Sequence, residues 1–274
     1  QQAAATNDTA MFHTAVTGTA QDIVLQNSKL QLTLNTKGGT VTKAYIKNAK
    51  GSTRYVGHDI ADKTGKHDDL GGVTLFDGKD QQLNYTLVAK ESNISTKDLY
   101  FTPSNQTDST VTLTAEAAPG KTLVLTYKLG KDYMLHTSLR VNGMAGLFDP
   151  NTSKLNVDWH EKVKEQERGF TFENRYARLD WHETNGDTDY LNESSDKEEN
   201  TEEAVDWVAF KNQFFSAVMI SKDAFDKGAD LHSAAYDKKA QENKPVRYLK
   251  DLNAKMKTAF DPSGRKPSEF EFYY

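Results

Sequence analysis

The tetrapeptide Asp-Trp-His-Glu occurs twice, at Asp158–Glu161 and Asp180–Glu183. An imidazole beside a carboxylate is the pairing that passes protons or holds a metal. His160, Glu161, His182 and Glu183 are therefore the first residues to weigh for chemistry. Adjacent side chains on a strand leave opposite faces, so one copy cannot aim both its histidine and its glutamate at one ligand. Each histidine needs a partner from elsewhere in the fold. The simpler reading is a buried tryptophan between exposed charged neighbours, and all three tryptophans (Trp159, Trp181 and Trp207) follow an aspartate. A second stretch, WVAFKNQFFSAVMI at Trp207–Ile220, is the most apolar window, yet Lys211, Asn212 and Gln213 stand in its middle. A bilayer-spanning helix takes about 20 mostly apolar residues, more than this window supplies.

Other chemistries are excluded by what the chain lacks. It has no cysteine, so disulfides, thiolate-bound zinc and a thiol nucleophile are ruled out. Neither a Gly-x-Ser-x-Gly elbow nor an HExxH helix occurs, and no glycine-rich phosphate loop is present. The net charge of −5 offers no basic stripe for nucleic acid. The aromatic and arginine mixture at Phe172–Arg178 reads instead as strand faces. Residues 186–203, GDTDYLNESSDKEENTEE, hold eight carboxylates and one lysine. They lack the spacing of a calcium loop and read as a self-repelling, solvated loop. Six Asn-x-Ser/Thr triplets, at Asn7, Asn84, Asn93, Asn105, Asn151 and Asn192, reflect a composition rich in those residues.

Such side chains would have to be positioned by strands. Leu30, Leu32 and Leu34 alternate with polar residues, the period of a half-buried strand. Gly38 and Gly39 then supply a hairpin turn, and Val41 and Tyr45 resume on the returning strand. VTLTAEA meets LVLTYKL across Pro119-Gly120, YMLHTSLRVNG follows, and FTFENRYARLDW reads as strand-like again. Many short strands between turns predict an all-β sandwich or barrel. In VRYLKDLNAKMKTAF, Leu249, Leu252 and Met256 recur at helical spacing, although a late strand fits as well. Within the Trp207–Ile220 window, a bulge or turn at Lys211–Gln213 would send both apolar ends inward. The amides would then bond the distorted backbone. The first twenty residues are small and polar, and predict a flexible linker over residues 1–21 ahead of one domain over residues 22–274.

Three segments in this order carry a resemblance. LQLTLNTKGGTVTKAYI (30–46), TYKLGKDYMLHTSLRV (126–141) and the Trp207–Ile220 window resemble the large periplasmic domain of YidC-type membrane protein insertases. The positions that match are Gly38, Gly39, Asp132, Tyr133, Trp207, Ala209, Gln213, Phe214 and Phe215, all implied to be structural core. The resemblance implies a β-supersandwich, the fold of galactose mutarotases, with few short helices. It implies an N-terminal membrane anchor before this domain and the insertase core after it. The implied role is accessory and non-catalytic, without cofactors: docking to the Sec translocon and its SecDF complex, or holding nascent membrane proteins, in the periplasm as part of an inner-membrane protein. The alternative is a carbohydrate-binding or aldose-epimerase-like supersandwich. For that, His160, His182 and Glu173 are the nearest available set, and the mutarotase Asn-His-aromatic motif is missing.

Overall fold

The computed structural model describes residues 12–47, 72–149, 151, 153–166, 169–191 and 196–274. Residues 1–11 of the expected linker and 192–195 of the acidic stretch lie outside the described residues. Three antiparallel sheets form. A four-stranded sheet runs β1 (Asp22–Gln26), β2 (Leu30–Asn35), β3 (Val41–Lys47), β4 (Gly72–Asp77). A six-stranded sheet has the order β14 (Lys197–Asn200), β17 (Asp230–Ala235), β18 (Tyr248–Ala259), β11 (Lys154–Lys164), β5 (Gln81–Val88), β6 (Asn93–Ser95). The nine-stranded sheet is ordered β13 (Thr188–Tyr190), β12 (Arg178–Glu183), β15 (Val205–Lys211), β16 (Ser216–Phe225), β19 (Ser268–Tyr273), β10 (Met134–Asn142), β9 (Lys121–Leu129), β8 (Thr110–Ala118), β7 (Thr102–Ser104).

Alternation in the sequence sets which side of each sheet is buried. Along β11, Leu155, Val157, Trp159, Glu161 and Val163 point inward, while Asn156, Asp158, His160 and Lys162 point outward. The inward set packs on the nine-stranded sheet. Trp159 stacks on Phe210 of β15 at 3.9 Å between ring centroids and meets Phe272 of β19 edge-on at 6.4 Å. Tyr85 of β5 stacks on Phe270 at 5.4 Å. Such aromatic pairs add about 0.5–1.5 kcal/mol each beyond the area they bury. With its side-chain amide turned to suit its neighbours, Gln81 donates to the Val41 carbonyl (2.7 Å) and accepts from Trp159 Nε1 (3.0 Å), tying the four- and six-stranded sheets together.

The β2–β3 hairpin depends on glycine at one position in particular. Gly39 has φ +69°, and a Cβ there would lie 2.7 Å from Leu125 Cδ1 and 3.0 Å from the Phe101 ring. Its carbonyl also accepts the buried Tyr127 hydroxyl at 2.5 Å. Only a residue without a side chain lets the turn approach β9 this closely.

Three expectations need correction. The strand-like FTFENRYARLDW begins as a helix, Phe170–Tyr176, and becomes β12 only at Arg178. Phe170, Glu173 and Ala177 are its buried positions, a spacing of three and four that fits a helix and not a strand. Of the two readings left open for Leu249, Leu252 and Met256, the strand is the one observed: Leu252, Ala254, Met256 and Thr258 alternate inward along β18. The carboxylates of the acidic stretch are exposed among the described residues, but the stretch includes strands as well as loop, and Leu191 and Thr201 are buried: β13 and β14 are outermost strands of two different sheets. Carboxylates on an open edge oppose pairing with another chain. Finally, the chain from Phe12 onward does not behave as a linker. Phe12 and Ala15 are buried in the common core, the Ala15 carbonyl accepts from Tyr100 N at 2.6 Å, and Thr14 Oγ1 donates to the Glu116 carbonyl at 3.0 Å.

Candidate functional site: one end of the sandwich

The end of the sandwich where β11 leaves the inter-sheet layer gathers charge inside and aromatic rings outside. Glu161 continues the inward row of Trp159 and lies in register between Gln81 and Leu252. It is 5% exposed, and its Oε2 has no hydrogen-bond partner among the described residues. Burial pushes this carboxyl up from 4.5 to about 8; the neighbouring Asp80 adds to the rise and Lys164 opposes it. Asp80, also buried, receives Lys164 Nζ at 2.6 Å and the Tyr248 hydroxyl at 2.6 Å. A carboxylate so paired stabilises its own charge, whereas an unpartnered one in apolar surroundings holds its proton. Buried phenols of Tyr85, Tyr127 and Tyr274 surround the same interior, and desolvation drives each above its ordinary range.

Glu161 lines a narrow crevice shared with Lys164, Gln166, Lys211, Asn212 and Phe215. The far wall is the tip of the β15–β16 hairpin. Asn212 Oδ1 accepts from Phe214 N (3.2 Å) and Phe215 N (2.9 Å), and Asn212 N donates to the Phe215 carbonyl (2.9 Å). A turn therefore stands where the polar triplet interrupts the apolar window. The amide that bonds the turn belongs to Asn212 and not to Gln213, which lies half-buried at the tip. Asn212→Ala should lower stability by about 1–2 kcal/mol, since two backbone donors lose their acceptor. Gln213→Leu should stay within about 0.5 kcal/mol. Paired urea-denaturation curves check this ordering, and equal effects at the two sites would contradict it.

The short helix Phe170–Tyr176 flanks the same end. The Glu173 carboxylate, fully buried, accepts Gln166 N at 3.0 Å through each oxygen. The outward side of the helix carries Phe172 and Tyr176, which are 52% and 42% exposed with rings 5.3 Å apart. Phe214 at the neighbouring hairpin tip is 65% exposed. Arg178 at the start of β12 bonds Asp180 (2.7 Å) and lies over the Tyr190 ring at 4.0 Å; Lys211 faces Arg178 across the strand pair and reaches Asp180 at 3.5 Å.

The two Asp-Trp-His-Glu copies are not equivalent. In the first, His160 Nε2 and Asp251 Oδ1 are 2.6 Å apart on the outer face of the six-stranded sheet, and the Tyr236 hydroxyl donates to Asp251 Oδ2 at 3.1 Å. Burial works against the Asp251 carboxylate, yet the bonds from His160 and Tyr236 hold it below its ordinary range. In the second copy His182 Nδ1 lies 3.1 Å from Asp206 Oδ2 and stacks on Trp207 at 5.7 Å. His160, His182 and Glu173 thus have separate partners on separate elements and do not assemble into one catalytic set.

The motif positions divide between interior and surface. Gly38, Gly39 and Ala209 are buried, and Phe215 packs against the core. Trp207, Gln213 and Tyr133 are half-buried. Asp132 is exposed and caps the β9–β10 turn, its Oδ1 accepting Met134 N at 3.1 Å, while Asn27 Nδ2 bonds the Asp132 carbonyl at 2.7 Å. Phe214 is not core, as the resemblance implied, because the Asn212 turn places it at the outermost point of the hairpin. Glu161 escaped the sequence reading as a buried residue, although its place two residues beyond Trp159 in an alternating strand was the available signal.

Comparison with known proteins gives this geometry a context. The YidC periplasmic domain model matches residues 22–274. The membrane protein insertase YidC of Phocaeicola vulgatus is 38% identical over 269 residues, covering 98% of this chain and 40% of that protein. That of Bacteroides fragilis is 34% identical over 271 residues, with 98% and 40% covered. The chain therefore spans about two fifths of the length of these relatives. Among solved structures, a putative aldose 1-epimerase from Escherichia coli matches with a TM-score of 0.50 at 10% identity, over 93% of this chain and 99% of that one. At that identity the likeness concerns fold alone, and the fold is the β-supersandwich of galactose-mutarotase-like proteins. With the family model running from the first strand to the last residue, the chain belongs to the YidC periplasmic domain family.

Proposed function

We propose that this chain is the non-catalytic, periplasmic accessory domain of an inner-membrane protein insertase, and that its aromatic end docks on the Sec translocon and SecDF complex or holds extended segments of nascent membrane proteins. The observation that carries the reading is the exposure of Phe172, Tyr176 and Phe214 at one end of the sandwich, Phe214 and Phe172 being the most exposed large hydrophobic side chains among the described residues. Exposed aromatic rings and arginine are enriched in protein contacts. The separation of His160, His182 and Glu173 supports a role without catalysis, and membership of an insertase family supports the setting.

The test is site-specific photo-crosslinking in the full-length protein in its native membrane, with the photoreactive residue at position 214 or 172 and a control at the exposed Val88 of β5. Adducts to Sec or SecDF subunits at 214 and 172, and not at 88, establish docking. Adducts to newly made membrane proteins establish holding. Equal labelling at all three positions, or none at 214 and 172, would overturn the proposal.

A further inference from the structure

Residues 236–247 join β17 to β18 beside the helix Phe170–Tyr176, and Lys238 faces Thr171 and Asn174 across a cleft. Both pieces are tied to the same body. Arg247 bonds buried Glu165 at 2.7 Å and lies over the Phe170 ring at 6.0 Å. Tyr248 N donates to Gln241 Oε1 at 3.1 Å, and the Tyr236 hydroxyl donates to Asp251. From this ledge Phe172, Tyr176 and Val246 project into solvent, each at least 42% exposed.

Charge is spread unevenly over the chain. Its net charge is −5, yet exposed Lys79, Arg175, Lys238, Lys239 and Lys244 gather at the ledge against the exposed carboxylates of Asp237 and Glu242. Lys79 belongs to this group because its neighbour Asp80 bonds the hydroxyl of Tyr248 at 2.6 Å. Asp77 is exposed nearby, but its carboxylate is taken by Lys43 at 2.8 Å. Asp237 is turned to the backbone, where it caps Ala240 N at 2.9 Å. The ledge is therefore a cationic, partly apolar surface on an anionic protein.

Aromatic rings rimmed by lysine select a class of partner. Lysine is depleted in protein interfaces, where its strongly hydrated ammonium would have to shed water. A bilayer surface makes no such demand. Aromatic rings settle at headgroup depth, and lysine stems lie along apolar surface while their ammonium groups stay wet among the phosphates. Each cation held near an anionic leaflet is worth about fivefold in affinity. A chain of net −5 is otherwise repelled from such a surface, so only this ledge can approach it. We infer that the helix Phe170–Tyr176 and residues 236–247 together rest on a lipid bilayer that contains anionic phospholipid. Phe172, Tyr176 and Val246 enter the interfacial layer, and the lysines meet the phosphates around them. The hairpin tip with Phe214 takes no part in this contact.

The test is flotation of the 274-residue chain with vesicles of phosphatidylethanolamine and phosphatidylglycerol in equal parts, and with vesicles of phosphatidylcholine alone. Such vesicles hold neither Sec subunits nor nascent chains, so this contact and the docking proposed above can fail separately. The expected result is binding to the anionic vesicles alone, lost at about 1 M salt, where the screening length falls to about 3 Å. Lys238→Gln, Lys239→Gln and Lys244→Gln combined should weaken it by about thirtyfold or more. Lys121→Gln, Lys128→Gln and Lys131→Gln combined, at exposed lysines on β9 and the turn after it, make the same change in net charge and should weaken it by less than about threefold. Tyr176→Ser should cost about fivefold, and Phe214→Ala should leave binding unchanged. Three outcomes overturn the proposal: no binding to the anionic vesicles at low salt, equal binding to both kinds of vesicle, or equal losses from the two lysine triples.

Discussion

Trp159→Ala will lower the unfolding free energy by about 3–5 kcal/mol, the range for emptying a large aromatic site in a core that cannot collapse. Trp159 is fully buried, stacks on Phe210 and gives its indole N–H to Gln81. Its loss opens a cavity between the two larger sheets and leaves the Gln81 oxygen without that donor. In a domain of this size the melting temperature should fall by about 2–4 °C for each kcal/mol. Trp181→Ala, nearly as buried at 3% exposure, should cost somewhat less, and the half-buried Trp207 least of the three. Denaturant midpoints for the three variants, with m-values to confirm an unchanged transition, check the order. Should Trp207→Ala prove as costly as Trp159→Ala, the centre of the core would lie on β15 and not on the β11–β15 stack.

The second large effect is a dependence of stability on pH that Glu161 imposes. Its folded-state pKa of about 8 lies above the ordinary 4.5, so the native protein keeps a proton that the unfolded chain releases. The stabilising contribution is fully present below pH 4.5 and is lost as pH rises toward 8, at about 1.4 kcal/mol per pH unit within the window. Asp251 and Asp261, both held below their ordinary 3.8, act in the opposite sense and only in more acid solution. The interval from pH 5 to 8 lies above the range of those two carboxylates, and comparison with a Glu161 variant cancels what the histidines contribute to both proteins. Glu161→Gln keeps the shape and removes the charge, so it should flatten the slope and make the protein more stable than the parent at pH 8. Melting temperatures of both proteins across that interval provide the measurement. Parallel curves would mean that Glu161 is ionised in the native state, with a partner for its Oε2.

Local pattern was enough for the strands that alternate cleanly. Leu30, Leu32 and Leu34, and the facing runs Thr110–Ala118 and Lys121–Leu129, bury every second residue because a half-buried strand leaves no other arrangement. The Gly38-Gly39 and Pro119-Gly120 turns were legible for the same local reason, since few residues tolerate positive φ. The ordered motifs at residues 30–46, 126–141 and 207–220 carried the family and, through it, the supersandwich.

Where the reading missed, the deciding contacts were specific side-chain bonds or strand pairings that periodicity does not encode. Glu173 is drawn into a helix because its carboxylate satisfies Gln166 N beneath it, and the aromatic residues around it fit a strand equally well by propensity. Phe214 is apolar and sits in the most apolar window, yet the turn that Asn212 caps two residues earlier forces it into solvent. Glu161 read as an exposed charged neighbour of Trp159, but β5 and β18 close over it on both sides. Periodicity and turns are legible because each depends on neighbours within a few residues, and the family because three motifs keep their order along the chain. Which carboxylate keeps its proton, which rings stay exposed and which histidine meets Asp251 follow from burial and pairing between strands that, as with Met134 and Tyr273, can lie more than a hundred residues apart.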